Sequence, residues 1–266
     1  MVRIFGVLNL TRDSFSDGGL YLETDRAVEH GLQLVADGAD VIDVGAQSSH
    51  PDAQDVPADE EVRRLVPVVD LLLTSGARVS VDTTRPLVML AMQQFGVHVI
   101  NDVNGMRDPQ AVAAVAAGRC EVVVMFSRSP DARAHRMAGA TEGLLDAMCA
   151  FFADRVQVLE AAGVGRDRIV LDPGMGFFLG DTPEPSLHVL RHLRALQERT
   201  GMRVMAAPSR KSFLGAVTGR GVHERGAATL AAELWAVDQG VHAIRTHDVR
   251  ALRDALAVRQ AIAGAP

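Results

Sequence analysis

The sequence predicts a single (β/α)8 TIM barrel over residues 1–266, and three observations carry that prediction. Short runs rich in Val, Ile and Leu alternate with longer helical patterns along the whole chain. About eight such units fit the length, roughly 33 residues apiece, which suits a barrel of this class. No domain-sized linker interrupts them. A doubly wound open sheet alternates in the same way and is the competing fold. The count of eight favours the closed barrel.

The elements follow in order. Arg3 to Asn9 reads as the first strand, followed by the Gly/Ser/Asp-rich segment Thr11 to Gly19 and a helix from Asp25 to Asp37 that stops at Gly38. Val41 to Val44 is the second strand, and Glu60 to Ser75 an amphipathic helix with Val62, Leu65, Val66, Val69 and Leu72 inward. Arg78 to Val81, His98 to Ile100 and Glu121 to Met125 are the next three strands. Between them lie helices from Pro86 to Phe95, with proline in its first turn, and from Asp108 to Ala117. Thr141 to Ala162 is the longest helix. Ile169 to Leu171 precedes a helix over Ser186 to Arg199, and Val204 to Ala206 precedes one over Ala227 to Asp238. Val241 to Ile244 is the eighth strand and Val249 to Ile262 the last helix.

Composition narrows the function classes. Aromatic residues make up 4% of the chain, against 48% apolar overall, which favours helices packed on aliphatic strands over an aromatic-rich sandwich. The net charge of −6 offers no global basic field for nucleic acid. No apolar stretch approaches the roughly 18 residues needed to cross a bilayer. Two cysteines, Cys120 and Cys149, give neither a disulfide framework nor zinc spacing, and the start of the chain has no signal-peptide pattern. A soluble cytoplasmic protein is the expectation.

In a parallel barrel, chemistry belongs where strands end and βα loops begin. Those positions here hold Asn9, Asp43, Asp82-Thr83, Asn101-Asp102, Met125, Asp172, Ser209-Arg210-Lys211-Ser212 and Arg245-Thr246-His247. One aspartate at a strand end needs only a helix-capping role. Asp43, Asp82, Asn101 and Asp172 around one mouth form a set of acceptors and an amide suited to a heterocycle rich in N–H groups. Lys211, Arg210, Arg245 and His247 add positive charge. Such a mouth suits a polar heterocycle that carries a phosphate or diphosphate. The segment Thr11 to Gly19 has no Walker pattern and reads as a lid over substrate.

Six segments, in order, resemble those of the dihydropteroate synthase family. They are Gly6 to Gly19, Ser80-Val81-Asp82-Thr83, Ile100-Asn101-Asp102-Val103, Leu171-Asp172-Pro173-Gly174, Ser209-Arg210-Lys211-Ser212 and Arg245-Thr246-His247-Asp248. The resemblance implies a barrel enzyme that joins 6-hydroxymethyl-7,8-dihydropterin diphosphate to 4-aminobenzoate, giving 7,8-dihydropteroate and diphosphate. It implies that Asp82, Asn101, Asp172 and Lys211 hold the pterin with Met125 nearby, and that Asn9 helps bind Mg2+. It places Arg245 and His247 on the diphosphate, Ser212 on the benzoate carboxylate, and Phe177 and Pro51 beside its ring. Thr11, Ser49 and Ser209 complete the expected substrate contacts, with Lys211, Arg245 and His247 as the catalytic groups. A homodimer is expected as well.

Departures cluster on the aryl-amine side. Ala46-Gln47-Ser48-Ser49-His50-Pro51-Asp52 stands where the family usually has Gly-Glu-Ser-Thr-Arg-Pro-Gly, and Met125-Phe126-Ser127 where it has Met-His-Met. Phe177 is followed by Phe178-Leu179 in place of glycine and lysine. These segments resemble the transferable, sulfonamide-insensitive branch of the family, which implies weak sulfonamide binding. Two other readings remain open at this stage. One is a pterin-binding homologue without synthase activity, given His50 and Phe126. The other is a methyltetrahydrofolate-binding methyltransferase, which the Ser209–Ser212 segment disfavours because such an enzyme has no diphosphate to hold.

Overall fold

The computed structural model describes residues 2–10, 20–47, 55–129 and 139–265. Eight parallel strands close into a barrel in sequence order. They are β1 (Arg3–Asn9), β2 (Val41–Gly45), β3 (Val79–Asp82), β4 (Val99–Asp102), β5 (Glu121–Met125), β6 (Ile169–Asp172), β7 (Arg203–Ala206) and β8 (Ala243–Thr246). Closure is direct: β8 pairs with β1 from Arg3 opposite Ala243 to Gly6 opposite Thr246. The helices around it are α1 (Leu20–Ala36), α2 (Ala58–Thr74), α3 (Pro86–Gln94), α4 (Pro109–Ala116) and α5 (Leu144–Ala161) on the first half. The second half carries α6 (Glu184–Arg191), α7 (Leu193–Thr200), α8 (Ser212–Thr218), α9 (Gly226–Asp238) and α10 (Val249–Ala263).

Side chains alternate across a strand, so each strand hands one set to the barrel interior and the other to the helices. Phe5, Val41, Val99, Val123, Val170, Met205 and Ala243 meet as one interior cluster, all at most 2% exposed. This apolar plug fills the barrel. The outward set, among it Ile4, Ile42, Val81, Ile100, Val122, Leu171 and Ile244, packs on the helices in the main core. Two residues beyond the plug, on the same faces, stand Asp43, Asn101, Met125, Asp172 and Arg245. Asp82 of β3 lies level with them, opposite Gly45 and Asn101. Strand period alone therefore converts a run of valines into a ring of polar groups.

Three local differences from the sequence reading have simple causes. The expected helix over 186–199 is two helices, parted at His192, whose Nδ1 lies 2.8 Å from the His188 carbonyl inside the ladder. Helix α8 was not expected, because seven residues are too few for a helical period to register. Helix α1 begins at Leu20 rather than Asp25, since nothing in Leu20-Tyr21-Leu22-Glu23 stops propagation. Among the described residues no helix is long and apolar enough to cross a membrane.

Candidate active site

Arg245 organises the mouth. Its Nε donates to Asp43 Oδ2 at 2.5 Å and its Nη2 to Asp82 Oδ2 at 3.0 Å. Asn101 Nδ2 donates to the same Asp43 oxygen at 3.5 Å. Two carboxylates thus fix the plane of the guanidinium, and its Nη1 has no hydrogen-bond partner among the described residues. Asp43 Oδ1 and Asn101 Oδ1 are buried without a partner as well. Leaving a buried polar atom unpaired costs about 1–3 kcal/mol. Two such acceptors side by side suit the N–H edge of a heterocycle.

Burial sets the charge state of this cluster. The Asp82 carboxyl is pushed up to about 7, because desolvation outweighs the nearby Arg245 and Lys211 cations and Asp43 adds repulsion. Burial also raises Asp172, whose Oδ1 accepts from the Gly174 N–H at 2.8 Å. Lys211 is shifted down by burial and by Arg245, against the pull of Asp172 and Asp82. Its Nζ lies 5.2 Å from the Phe178 ring centroid, a cation–π distance. Lys211 is also the only lysine in the sequence.

His247 departs from its expected role as a cation. Desolvation, then Arg245, Arg210 and Lys211, hold its pKa down at about 3, so the ring is neutral. Ser209 Oγ accepts the His247 backbone N–H at 3.1 Å and sits 2.9 Å from Nδ1. A neutral imidazole keeps one N–H, and the Ser209 hydroxyl, with one donor and two acceptor sites, can serve either ring tautomer. His247 therefore offers a directed N–H rather than a charge.

The sixth and seventh loops meet across a glycine. Gly176 has φ of 67°, and a Cβ there would stand 3.2 Å from Ser212 Oγ. This approach sets the turn Gly176–Phe178 against Lys211 and Ser212. Phe178 is 3% exposed and packs with Met125, while Phe177 is half-buried beside them. Asn9, at the end of β1, is exposed at the rim. Asp102 takes no part in the mouth: it accepts from the backbone N–H groups of Asn104 and Met106 at 2.8 and 2.7 Å and braces its own loop. Thr11, Ser49 and Pro51, and with them His50 and the expected lid, lie outside the described residues.

Likeness to known proteins extends over nearly the whole chain. A family model described as "Pterin binding enzyme" matches residues 5–247. The type-3 dihydropteroate synthase of Escherichia coli is 48% identical over 262 residues, covering 98% of this chain and all of that one. The chain belongs to the dihydropteroate synthase family. Among solved structures of that family, the Xanthomonas albilineans synthase with 4-aminobenzoic acid superposes with a TM-score of 0.90 at 38% identity, covering 100% of this chain and 94% of that one. The same enzyme in complex with 7,8-dihydropteroate gives 0.84 at 35% identity, with the same coverage.

Within this family framework, one departure proves to lie away from the mouth. The Phe126 ring points among the helices, edge-on to Phe151 and Phe152 at centroid distances of 5.4 and 6.3 Å. It replaces a usual histidine without touching the Asp82–Arg245 cluster. The sequence reading placed Thr83 and Thr246 at strand ends but missed the buried glutamates behind them. Thr83 and Thr246, next to Asp82 and between Arg245 and His247, face the helices and are 3% and 0% exposed. Buried Glu233 stands within hydrogen-bonding reach of Thr246, and buried Glu61 lies near Thr83 with neither carboxylate oxygen hydrogen-bonded among the described residues. These glutamates come from distant helices, so no local spacing could show them.

The Asp82 environment gives a testable pH signature. Between 3.8 and about 7 the folded chain keeps a proton that the unfolded chain releases, so this group costs stability as pH rises through that window. A ligand whose N–H groups favour the carboxylate expels the same proton. Calorimetric binding of a dihydropterin near pH 7 is therefore expected to release protons, seen as an enthalpy that depends on the buffer. Asp82→Asn should remove the dependence. Buffer-independent binding by the parent protein would count against this assignment.

Proposed function

We propose that the chain joins 6-hydroxymethyl-7,8-dihydropterin diphosphate to 4-aminobenzoate, with Mg2+ on the diphosphate and as a homodimer. The observation that carries the catalytic reading is the cluster of Asp43, Asp82, Asn101 and Asp172 facing Arg245 and Lys211. It pairs acceptors for a heterocycle with fixed cations at the end of a deep apolar plug. Asp82, Asn101 and Asp172 hold the pterin edge, and Lys211, on the seventh loop, lies over Phe178 beside them. Arg245 through Nη1 and His247 through its ring N–H donate to the diphosphate. As the methylene–oxygen bond breaks, the bonding pair leaves with the diphosphate, whose growing charge these donors stabilise. The aryl amine, already unprotonated at neutral pH, forms the new carbon–nitrogen bond and loses one proton. Ser212 is suited to the benzoate carboxylate and Phe177 to its ring. Orientation supplies much of the rate.

The residues present suit Mg2+. Asn9 offers one neutral amide oxygen at the rim, and no group of three His, Cys, Asp or Glu residues capable of holding a metal occurs among the described residues. A cation that keeps waters and binds mainly through substrate phosphates needs little more. Bound there, it would supply charge neutralisation of the leaving group. The test is diphosphate release. Release should require both substrates and Mg2+, and pterin binding with no release on adding 4-aminobenzoate would favour the homologue without synthase activity.

Two finer readings accompany this one. The homodimer is supported by exposed apolar side chains on three adjoining helices, α6, α8 and α9, with Leu187, Val217 and Trp235 43%, 59% and 50% exposed. A monomer mass by sedimentation at micromolar concentration would overturn it. Weak sulfonamide binding is supported by the pair Phe177-Phe178. Phe178, buried under Lys211, packs with the half-buried Phe177, and a second ring there would leave less room for a sulfonyl substituent than for 4-aminobenzoate. Sulfamethoxazole is expected to inhibit at a higher ratio of Ki to aryl-amine KM than it does an ordinary synthase. An equal ratio would sink the idea. A cytoplasmic setting suits the free thiols of Cys120 and Cys149.

A further inference from the structure

Helix α9 carries three polar residues one turn apart, at 225, 229 and 233, on the face turned to β7 and β8. Arg225, its N-cap, donates through Nη1 to the carbonyls of Arg210 and Lys211 at 2.9 and 3.3 Å. It reaches them across Gly215 of α8, where a Cβ would fall 2.3 Å from the guanidinium. Thr229, 4% exposed, accepts the Arg210 backbone N–H on Oγ1 at 3.0 Å. Glu233, 1% exposed, stands within hydrogen-bonding reach of Thr246, while its Oε1 has no partner.

The contacts fall on two strategic points. Arg210 has φ of 57°, a left-handed conformation that a residue with a side chain adopts at a cost and keeps only when its surroundings enforce it. Arg225 and Thr229 grip both of its backbone polar groups, and the next residue is Lys211. On the other side, Thr246 is the outward-facing residue between Arg245 and His247, and its Oγ1 also accepts the Asp248 N–H at 3.1 Å. Ser209 ties the two points together through His247. One helix face therefore grips the two segments that carry the cations of the site.

We propose that Arg225, Thr229 and Glu233 form a positioning ridge that sets the spacing between Lys211 and the Arg245–His247 pair, and so governs how the diphosphate end of the substrate is held. None of the three touches substrate. The carboxyl of Glu233 is pushed up to about 8 by burial, with Asp248 adding to the shift, so it serves as a neutral hydrogen-bonding group behind β8. Beside Asp82 another buried glutamate, Glu61, also 1% exposed, lies near Thr83 and 3.4 Å from Arg85 Nε.

The inference rests on the synthase reading, and the experiment separates the two. Full-length Thr229→Val, Thr229→Ser, Glu233→Leu and Glu233→Gln would be compared with the parent. The readouts are kcat and KM for both substrates, and calorimetric affinity for inorganic diphosphate with Mg2+. Thr229→Val and Glu233→Leu are expected to lower kcat/KM for the pterin diphosphate and the affinity for diphosphate by about tenfold or more, as sub-ångström misplacement does. Thr229→Ser and Glu233→Gln, which keep the hydrogen-bonding group, should stay within about threefold of the parent. In Glu233→Leu the KM for 4-aminobenzoate should be unchanged.

Parent-like diphosphate affinity in both disruptive variants overturns the ridge. Equal loss in the conservative variants also overturns it, since that is the mark of packing alone. Should the Val or Leu variant fail to fold, Arg225→Met decides in its place: it removes the donors to Arg210 and Lys211 from a half-exposed position, and parent-like diphosphate affinity in it overturns the proposal. A parent that binds diphosphate but does not turn over refutes the synthase reading alone, and the affinities still judge the ridge. A parent that binds no diphosphate refutes both.

Discussion

Replacement of Lys211 by alanine is expected to lower kcat/KM for the pterin diphosphate by about 10²–10³-fold, the usual cost of removing a preorganised charge from a desolvated site. The amine stands among Asp172, Asp82 and Arg245 and over the Phe178 face, where its charge acts through little water. No other described side chain occupies that place, because Arg245 is held by Asp43 and Asp82. Lys211→Arg should restore little: a planar fork of five donors does not fit a position that suits a compact ammonium on an aromatic ring. Steady-state kinetics with calorimetric pterin binding would check both variants. Full activity in Lys211→Ala would remove the central assignment of the site.

Arg245→Met is expected to damage fold and function together. The guanidinium is the ion-pair partner of Asp43, which is fully buried, and of Asp82. Removing one member of a buried pair costs about 3–5 kcal/mol, because the remaining charge is left uncompensated. The loss should appear as a lower urea midpoint at pH 8 and shrink toward pH 5.5, where Asp82, already raised to about 7, takes up a proton instead. Diphosphate binding should be lost at both pH values. A pH-independent loss of stability would show that the carboxylates do not carry the penalty. Adding Asp43→Asn to Arg245→Met should recover part of the stability and none of the activity.

The barrel was legible because its physics is local. Runs such as Val122-Val123-Val124 and Ile169-Val170 declare strands, and Asp108-Pro109 opens a helix with a side chain that accepts the Gln110 N–H. The polar ring was legible for the same reason: strand period places Asn101 above Val99 and Arg245 above Ala243. What the ring does electrically was not. The neutrality of His247 depends on burial, on Arg245 of its own strand and on Arg210 and Lys211 beyond β7, and the Asp43–Arg245 pair joins residues far apart in sequence, at |i−j| of 202. Phe126 shows the opposite error. As a departure from the family pattern it looked functional, yet alternation along its strand turns it away from the mouth toward Phe151. The supporting residues Thr229 and Glu233 were silent, since an ordinary helix could place Thr and Glu one turn apart for many reasons.

That the chain's only lysine lies in the mouth, with its basicity reduced, has a practical consequence for spectroscopy. Reductive methylation with isotope-labelled formaldehyde would tag this ammonium and the chain's terminal amine, and no other side chain. A carbon–proton correlation spectrum would then hold one side-chain signal, located in the mouth of the barrel. Its chemical shift followed against pH would titrate Lys211 directly. Its displacement on adding pterin, diphosphate or an aryl amine separately would report the order in which the ligands assemble, without altering any residue of the protein's sequence.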